Sequence, residues 1–160
     1  MIIDASSLKR RNTGTVSASF KTKADLSGIS LDGEVEGQVE CSIAGQGLLV
    51  RGAVQSSVRL ECCRCLEEFT SPLEAAVVEE FLPAALVGTD PERFTFGDDY
   101  LIDLTEVVRQ SLILGLPMRP LCTQDCKGLC QVCGRNLNEG ACNCSVPTAE
   151  SMPETANMER

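Results

Sequence analysis

The chain has 160 residues, with 14 Lys and Arg against 23 Asp and Glu for a formal charge of −9, and only five Phe, one Tyr and no Trp. That size suits a single core burying roughly 70% of the surface the unfolded chain exposes, and the charge opposes the counterion release by which basic surfaces grip phosphates. The absence of histidine removes Ser-His-Asp and Cys-His nucleophile chemistry and every histidine-containing zinc site, while the scarcity of aromatics leaves no platform on which single-stranded bases commonly stack.

The longest apolar runs, such as Leu112 to Pro117, fall far short of the roughly 20 residues a membrane-spanning helix needs. The first residues place their basic side chains after the apolar ones, with no apolar stretch following, which is not the order of a secretory signal. A cytoplasmic protein without a membrane segment is expected.

In chain order, Ser6 to Arg10 reads as a short helical turn and Thr15 to Leu26 as a weakly alternating strand. Residues 35 to 43 put Val35, Val39, Cys41 and Ile43 on one face and Glu36, Gln38, Glu40 and Ser42 on the other, the period of a half-buried strand. Gly45-Gln-Gly47 is a turn signal, after which Leu48, Val50, Val54, Val58 and Leu60 alternate with Arg51, Gln55, Ser57, Arg59 and Glu61, so a long antiparallel hairpin is predicted. Residues 71 to 82 carry conflicting signals: Ser71-Pro72-Leu73-Glu74 resembles a helix start, whereas Val77, Val78 and Phe81 suit a strand. Pro83 to Asp99, with Gly88, Pro91 and Gly97, is predicted to be a mobile loop. Asp103 with Glu106 forms a candidate capping pair for an amphipathic helix whose stripe is Leu104, Val107, Val108, Leu112 and Leu114, stopped by Pro117. The segment from Ser145 to Arg160, rich in Pro, Thr, Glu, Asn and Ser, is expected to be disordered. The expected fold is α+β, mainly antiparallel β with one amphipathic helix and a C-terminal zinc-binding module. Residues 1–144 form one domain in this reading, with the cysteine module at 119–144.

The ten cysteines are the outlier. In a compartment that keeps thiols reduced, clustered cysteines point to metal or redox chemistry before a disulfide framework. Cys130-x2-Cys133-Gly134 followed by Cys142-x-Cys144 offers four thiolates for one tetrahedral Zn²⁺, and Gly134 tolerates the positive φ of a zinc knuckle. Cys62-x2-Cys65 supplies half of a second tetrahedron, which Cys122 and Cys126 would complete if the helix folds back on the hairpin. Cys41 and Cys63 are then spare, Cys41 as a small core residue. The rival partition is a single site drawn from Cys122, Cys126, Cys130, Cys133, Cys142 and Cys144, with Cys62 and Cys65 as a loose or redox pair. One or two zinc ions per chain are expected.

An enzyme must be weighed against a binding protein, because C-x2-C is also the dithiol of thioredoxin-like proteins. That motif belongs at a helix N-terminus within βαβ units, and here a hairpin precedes it. All-thiolate zinc sites are usually closed and structural. Glu67, Glu68 and Asp125 near the cysteines read as solvated charges, and no paired carboxylates, phosphate-cradling loop or nucleophile elbow is present. Binding without catalysis is expected, with a thiol redox or zinc-dependent enzyme as the alternative.

Leu60-Glu-Cys-Cys-Arg-Cys-Leu-Glu-Glu-Phe69, then Ile102-Asp-Leu104 leading to Leu112-Ile-Leu-Gly-Leu-Pro117, and Cys126-Lys-Gly-Leu-Cys-Gln-Val-Cys-Gly-Arg-Asn-Leu-Asn138, together resemble the YceD family of large ribosomal RNA subunit accumulation proteins. The resemblance covers about residues 1 to 144. It implies a cytosolic ribosome-biogenesis factor required in bacteria and plastids for normal large-subunit ribosomal RNA levels, with no known enzymatic activity, and it favours a strand over 71–82. Its implied partners are ribosomal RNA or large-subunit assembly intermediates, reached directly or through a protein, with neither membrane nor small-molecule substrate. The family commonly continues into an Asp-Pro-Arg segment and a short basic helix, where this chain has an acidic tail. The local cations available for contact are Arg119, Lys127 and Arg135 on the cysteine module and Lys9, Arg10, Arg11, Lys21 and Lys23 near the N-terminus.

Overall fold

A computed structural model describes residues 1–11, 14–87 and 93–144, with the side chains of Arg10 and Arg11 outside that description. The chain divides into two compact units: Met1–Leu60 with Phe69–Met118, and Glu61–Glu68 with the chain from Arg119 onward.

The first unit is built on a five-stranded sheet of order β2-β3-β4-β5-β6, with β2 at Thr15–Thr22, β3 at Val35–Ala44, β4 at Gly47–Glu61, β5 at Glu68–Pro83 and β6 at Phe94–Phe96. The β3–β4 hairpin forms where the alternation predicts it. Its register closes on Ala44 opposite Gly47, and Gly45 takes a φ of +59°, the left-handed conformation that two-residue hairpin turns demand. Val35, Val39, Cys41, Val50, Val54 and Val58 all fall on the buried face, because a period of two places every second side chain on the same side. β2 runs antiparallel beside β3 with Val16, Ala18 and Phe20 half-buried against the core. A separate two-stranded antiparallel sheet joins β1, Ile2–Asp4, to β7, Leu101–Asp103.

Residues 71–82 belong wholly to β5. Leu73, Ala75, Val77 and Phe81 are buried while Glu74, Ala76 and Val78 are exposed, so a period-two face outweighs the helix-start signal at Ser71-Pro72. Pro72 cannot donate to a ladder and belongs at sheet edges, and β6 covers β5 only at Phe81–Pro83. The loop expected over 83–99 is corrected in part: a helical turn, α2, spans Ala84–Val87, and β6 pairs parallel to β5, bringing Phe94 to 5.5 Å from Phe81 between ring centroids. A three-residue strand held by an aromatic contact carries too little periodicity to read from sequence. Residues 88–92 of that stretch, and the tail from Ser145, lie outside the described residues.

The predicted amphipathic helix is α3, Thr105–Leu114, which buries Val107, Val108 and Leu112 but, at its last residue, leaves Leu114 of the expected stripe exposed. The other helical segments are α2 and α1 at Ser6–Arg11. The capping pair forms differently from expectation. Asp103 Oδ1 accepts from the Thr105 N–H at 2.9 Å and the Thr105 hydroxyl at 2.6 Å, while Glu106 accepts from Arg109 Nε at 2.8 Å and Gln110 at 2.9 Å instead of reaching back. Among the described residues no helix is long and apolar enough to cross a membrane.

Two neighbouring valines test the strand. Val77→Ala, at a buried position, should cost about 2 kcal/mol in urea unfolding through lost burial and a residual cavity. Val78→Ala, at a site 61% exposed, should stay within about 0.5 kcal/mol.

Candidate metal centres

Among its described residues the second unit has almost no apolar interior. Among its described residues the buried side chains are those of Cys62, Cys65, Cys126 and Cys130. A segment this short cannot offset its ordering entropy with hydrophobic burial alone, so the sulfurs are where a further link would stabilise it.

All ten cysteines are free thiols, and eight of them form two quartets. Cys62, Cys65, Cys122 and Cys126 bring their sulfurs within 4.8 Å of one another, and so do Cys130, Cys133, Cys142 and Cys144. In the first quartet Cys62 lies 3.7 Å from Cys126 and Cys65 lies 3.6 Å from Cys122, sulfur to sulfur. Four sulfurs at tetrahedral corners, each about 2.3 Å from one Zn²⁺, sit about 3.8 Å apart. Both donor sets could hold a metal ion. Cys63 is exposed, and Cys41 is buried in the sheet core of the first unit, where loss of water pushes its thiol up to about 11.

The two C-x2-C turns share one backbone design. Cys62 N–H donates to Glu67 O at 2.9 Å and Leu66 N–H to Cys62 O at 2.9 Å; correspondingly, Cys130 N–H donates to Arg135 O at 2.8 Å and Gly134 N–H to Cys130 O at 2.9 Å. The residue after the second cysteine is left-handed in both, with φ of +61° at Leu66 and +71° at Gly134. The turns are thus a structural repeat, hidden in the sequence because Leu66 stands where its counterpart has glycine.

Long-range bonds seat the remaining cysteines. Cys63 N–H donates to Pro120 O at 2.9 Å and Leu129 N–H to Arg64 O at 3.0 Å, while Arg64 Nη1 donates to Cys126 O at 2.8 Å. These contacts bring the 122–126 segment to the first turn. Asn138 Nδ2 donates to Cys126 Sγ at 3.3 Å and its Oδ1 accepts from Lys127 N–H at 2.8 Å; Asn136 Nδ2 donates to Glu67 at 2.9 Å. Glu67, expected to be a solvated charge, therefore ties the two turns together. Arg64, Asn136 and Asn138 were not foreseen as site residues, although each stands in the strings that carry the family resemblance.

The thiols respond to this packing in opposite directions. At Cys62 burial opposes ionisation, but backbone N–H groups of Cys122, Cys65 and Arg64 outweigh it and bring the thiol down to about 6. Backbone N–H groups of Cys133 and Val132 do the same for Cys130, also to about 6. At Cys65 the Glu67 N–H favours the thiolate, yet burial and the surrounding sulfurs win and push it up to about 12; the Cys133 sulfur and burial push Cys144 up to about 12. Each quartet has a thiolate stabilised by the backbone and a neighbour that resists a second negative charge. A bound dication would relieve that resistance.

Residues 50–154 match the family model described as "Large ribosomal RNA subunit accumulation protein YceD". An uncharacterized protein of Mycobacterium tuberculosis is 35% identical over 92 residues, covering 56% of this chain and 44% of the relative. An uncharacterized protein of Mycobacterium leprae is 27% identical over 147 residues, covering 86% of this chain and 67% of the relative. The chain thus spans less than half the length of the former. No solved structure matches.

The paired turns make a reciprocal expectation. A non-glycine residue in the left-handed region costs about 1 kcal/mol, so Leu66→Gly should raise and Gly134→Leu lower stability by about that amount in urea titrations. Equal, small losses from both would show that the left-handed positions are not equivalent.

Proposed function

We propose that this chain, which belongs to the YceD family of large ribosomal RNA subunit accumulation proteins, supports that accumulation in the cytoplasm by binding rather than by catalysis, through a module stapled by two zinc ions. The observation that carries the reading is the pairing of the family match with two complete four-thiol clusters. Residues Cys62, Cys65, Cys122 and Cys126 would hold one ion and Cys130, Cys133, Cys142 and Cys144 the other. The ion would supply the positive charge that lets all four thiols ionise, and four thiolates would complete a tetrahedral donor set.

Both C-x2-C pairs lie in turns with two further thiols beside them, whereas a dithiol catalyst keeps its pair at a helix N-terminus and accessible. Each four-thiolate zinc site carries about −2, taking the formal −9 toward roughly −13. Tight binding to bare RNA is disfavoured at that charge. Contact with assembling particles falls to local cations, and Lys127 and Arg135 on the module are exposed.

Native mass spectrometry should find about two Zn²⁺ per chain. Cys62→Ser and Cys133→Ser should each lose a different ion, while Cys41→Ser should keep both and cost only about 1 to 3 kcal/mol. One ion per chain would remove the first site.

Depletion should lower mature large-subunit ribosomal RNA relative to small-subunit RNA, read from total RNA of growing cells. Lys127→Ala with Arg135→Ala should weaken association with assembling particles without releasing zinc. An unchanged ratio of the two RNAs would sink the functional reading.

A further inference from the structure

β5 runs sixteen residues, Glu68–Pro83, but β6 pairs with only Phe81–Pro83. Over the rest of its length β5 has β4 on one side and, among the described residues, no strand on the other. Backbone donors and acceptors along such an edge are a template for another strand.

A groove of about 430 Å³ follows this edge. It takes in Ala75 from the core face of β5 and Ala76 and Val78 from the opposite face, so it wraps the strand's margin instead of lying on either surface. Its other wall is α3, contributing Val107, Ser111 and Leu114. Val78 is 61% exposed and Leu114 85% exposed, an apolar pair flanking a run of open backbone. The ionisable residues lining the groove are Glu74 and Glu79. Residues 74 to 79 extend about 20 Å, the length of an ordinary strand.

We propose that the open edge of β5 beside α3 is a docking groove for an extended cationic segment of a partner protein, which joins the sheet as an additional strand. Main-chain hydrogen bonds to β5 supply affinity, and alternate side chains meet Glu74 and Val78 on one face of the strand and Glu79, with Leu114 of α3, on the other. Charge decides the occupant. A second copy pairing through the same edge would crowd its own Glu74 and Glu79 along an edge that already carries both, and like charge is one of the means by which natural edges avoid self-pairing. The chain's own segment from Ser145 to Arg160 carries Glu150, Glu154 and Glu159 against Arg160, with Pro147 and Pro153 removing ladder donors. The inference rests on the binding role proposed above only for the source of the segment, since proteins that live on ribosomal RNA carry cationic stretches.

The test uses the full zinc-loaded chain and a labelled peptide of alternating lysine and valine. Amide shifts should map to residues 74–79 and 107–115. Glu74→Lys with Glu79→Lys should weaken the peptide about tenfold and admit an alternating glutamate–valine peptide, because the rim charges set the choice of partner. Leu114→Ser, at an exposed site, should weaken both peptides with an unchanged melting temperature. The proposal is overturned by peptide binding indifferent to these substitutions, by an RNA oligonucleotide shifting the same amides in place of the peptide, by concentration-dependent dimerisation through this edge, or by amide changes at 74–79 when residues 145–160 are deleted. A failed titration removes the groove and leaves the ribosomal role standing. A normal RNA ratio after depletion removes that role and leaves the titration untouched.

Discussion

Four thiols packed within a few ångströms cannot all ionise without a cation among them, and in the second unit those thiols are also the interior. Cys62, Cys65, Cys126 and Cys130 occupy the places where a larger domain would bury leucine or valine. The backbone has been arranged to favour a thiolate at Cys62 and Cys130, which lowers the cost of the first charge, but the next charge meets the sulfurs of its neighbours. Folding of this unit and occupation of its thiols are therefore one equilibrium in the zinc-loaded reading, as in other small modules whose ligands come together only when folded. The first unit depends on nothing of the kind: its sheet buries Val35, Val39, Val50, Val54, Val58 and Val77 against α3 and the smaller elements in the ordinary hydrophobic way.

How far this was legible differs between the units. β3, β4 and α3 could be read because each is long enough for its period to show, and the Gly45 turn fixes the hairpin register. β5 was ambiguous because a proline and a serine near its start imitate a helix entrance, and only its buried alternation from Leu73 onward decides. β6 could not be read at all, since three residues pairing parallel to a distant strand leave no local signature. Among the cysteines, 130, 133, 142 and 144 are near in sequence, whereas Cys65 meets Cys122 across 57 positions. Sequence offered that second grouping as one of two partitions; the Arg64 and Cys63 backbone contacts that bring it about are tertiary facts.

Leu66 marks the limit of reading by residue type. Glycine after C-x2-C announces a left-handed turn, and at Gly134 it does so. The same conformation at Leu66 costs strain that glycine would avoid, and that leucine is 56% exposed, so it gains little by burial. A turn repeated with one strained and one relaxed member is thus informative in a way that neither is alone.

The net charge of −9 disfavours a grip on free RNA but does not locate a binding surface, because at physiological salt exposed charges further apart than about 8 Å are largely screened. What a partner meets is local. On the first unit that is a groove whose ionisable lining is two glutamates; on the second it is a surface where Lys127 and Arg135 stand among backbone turns fixed by asparagine and sulfur. In the proposed reading a cationic protein segment suits the former and phosphate the latter, and an acidic chain would act in ribosomal RNA accumulation without gripping free RNA. Its selectivity would come from requiring both chemistries on one particle, where neither surface alone offers the affinity of a dedicated RNA-binding domain.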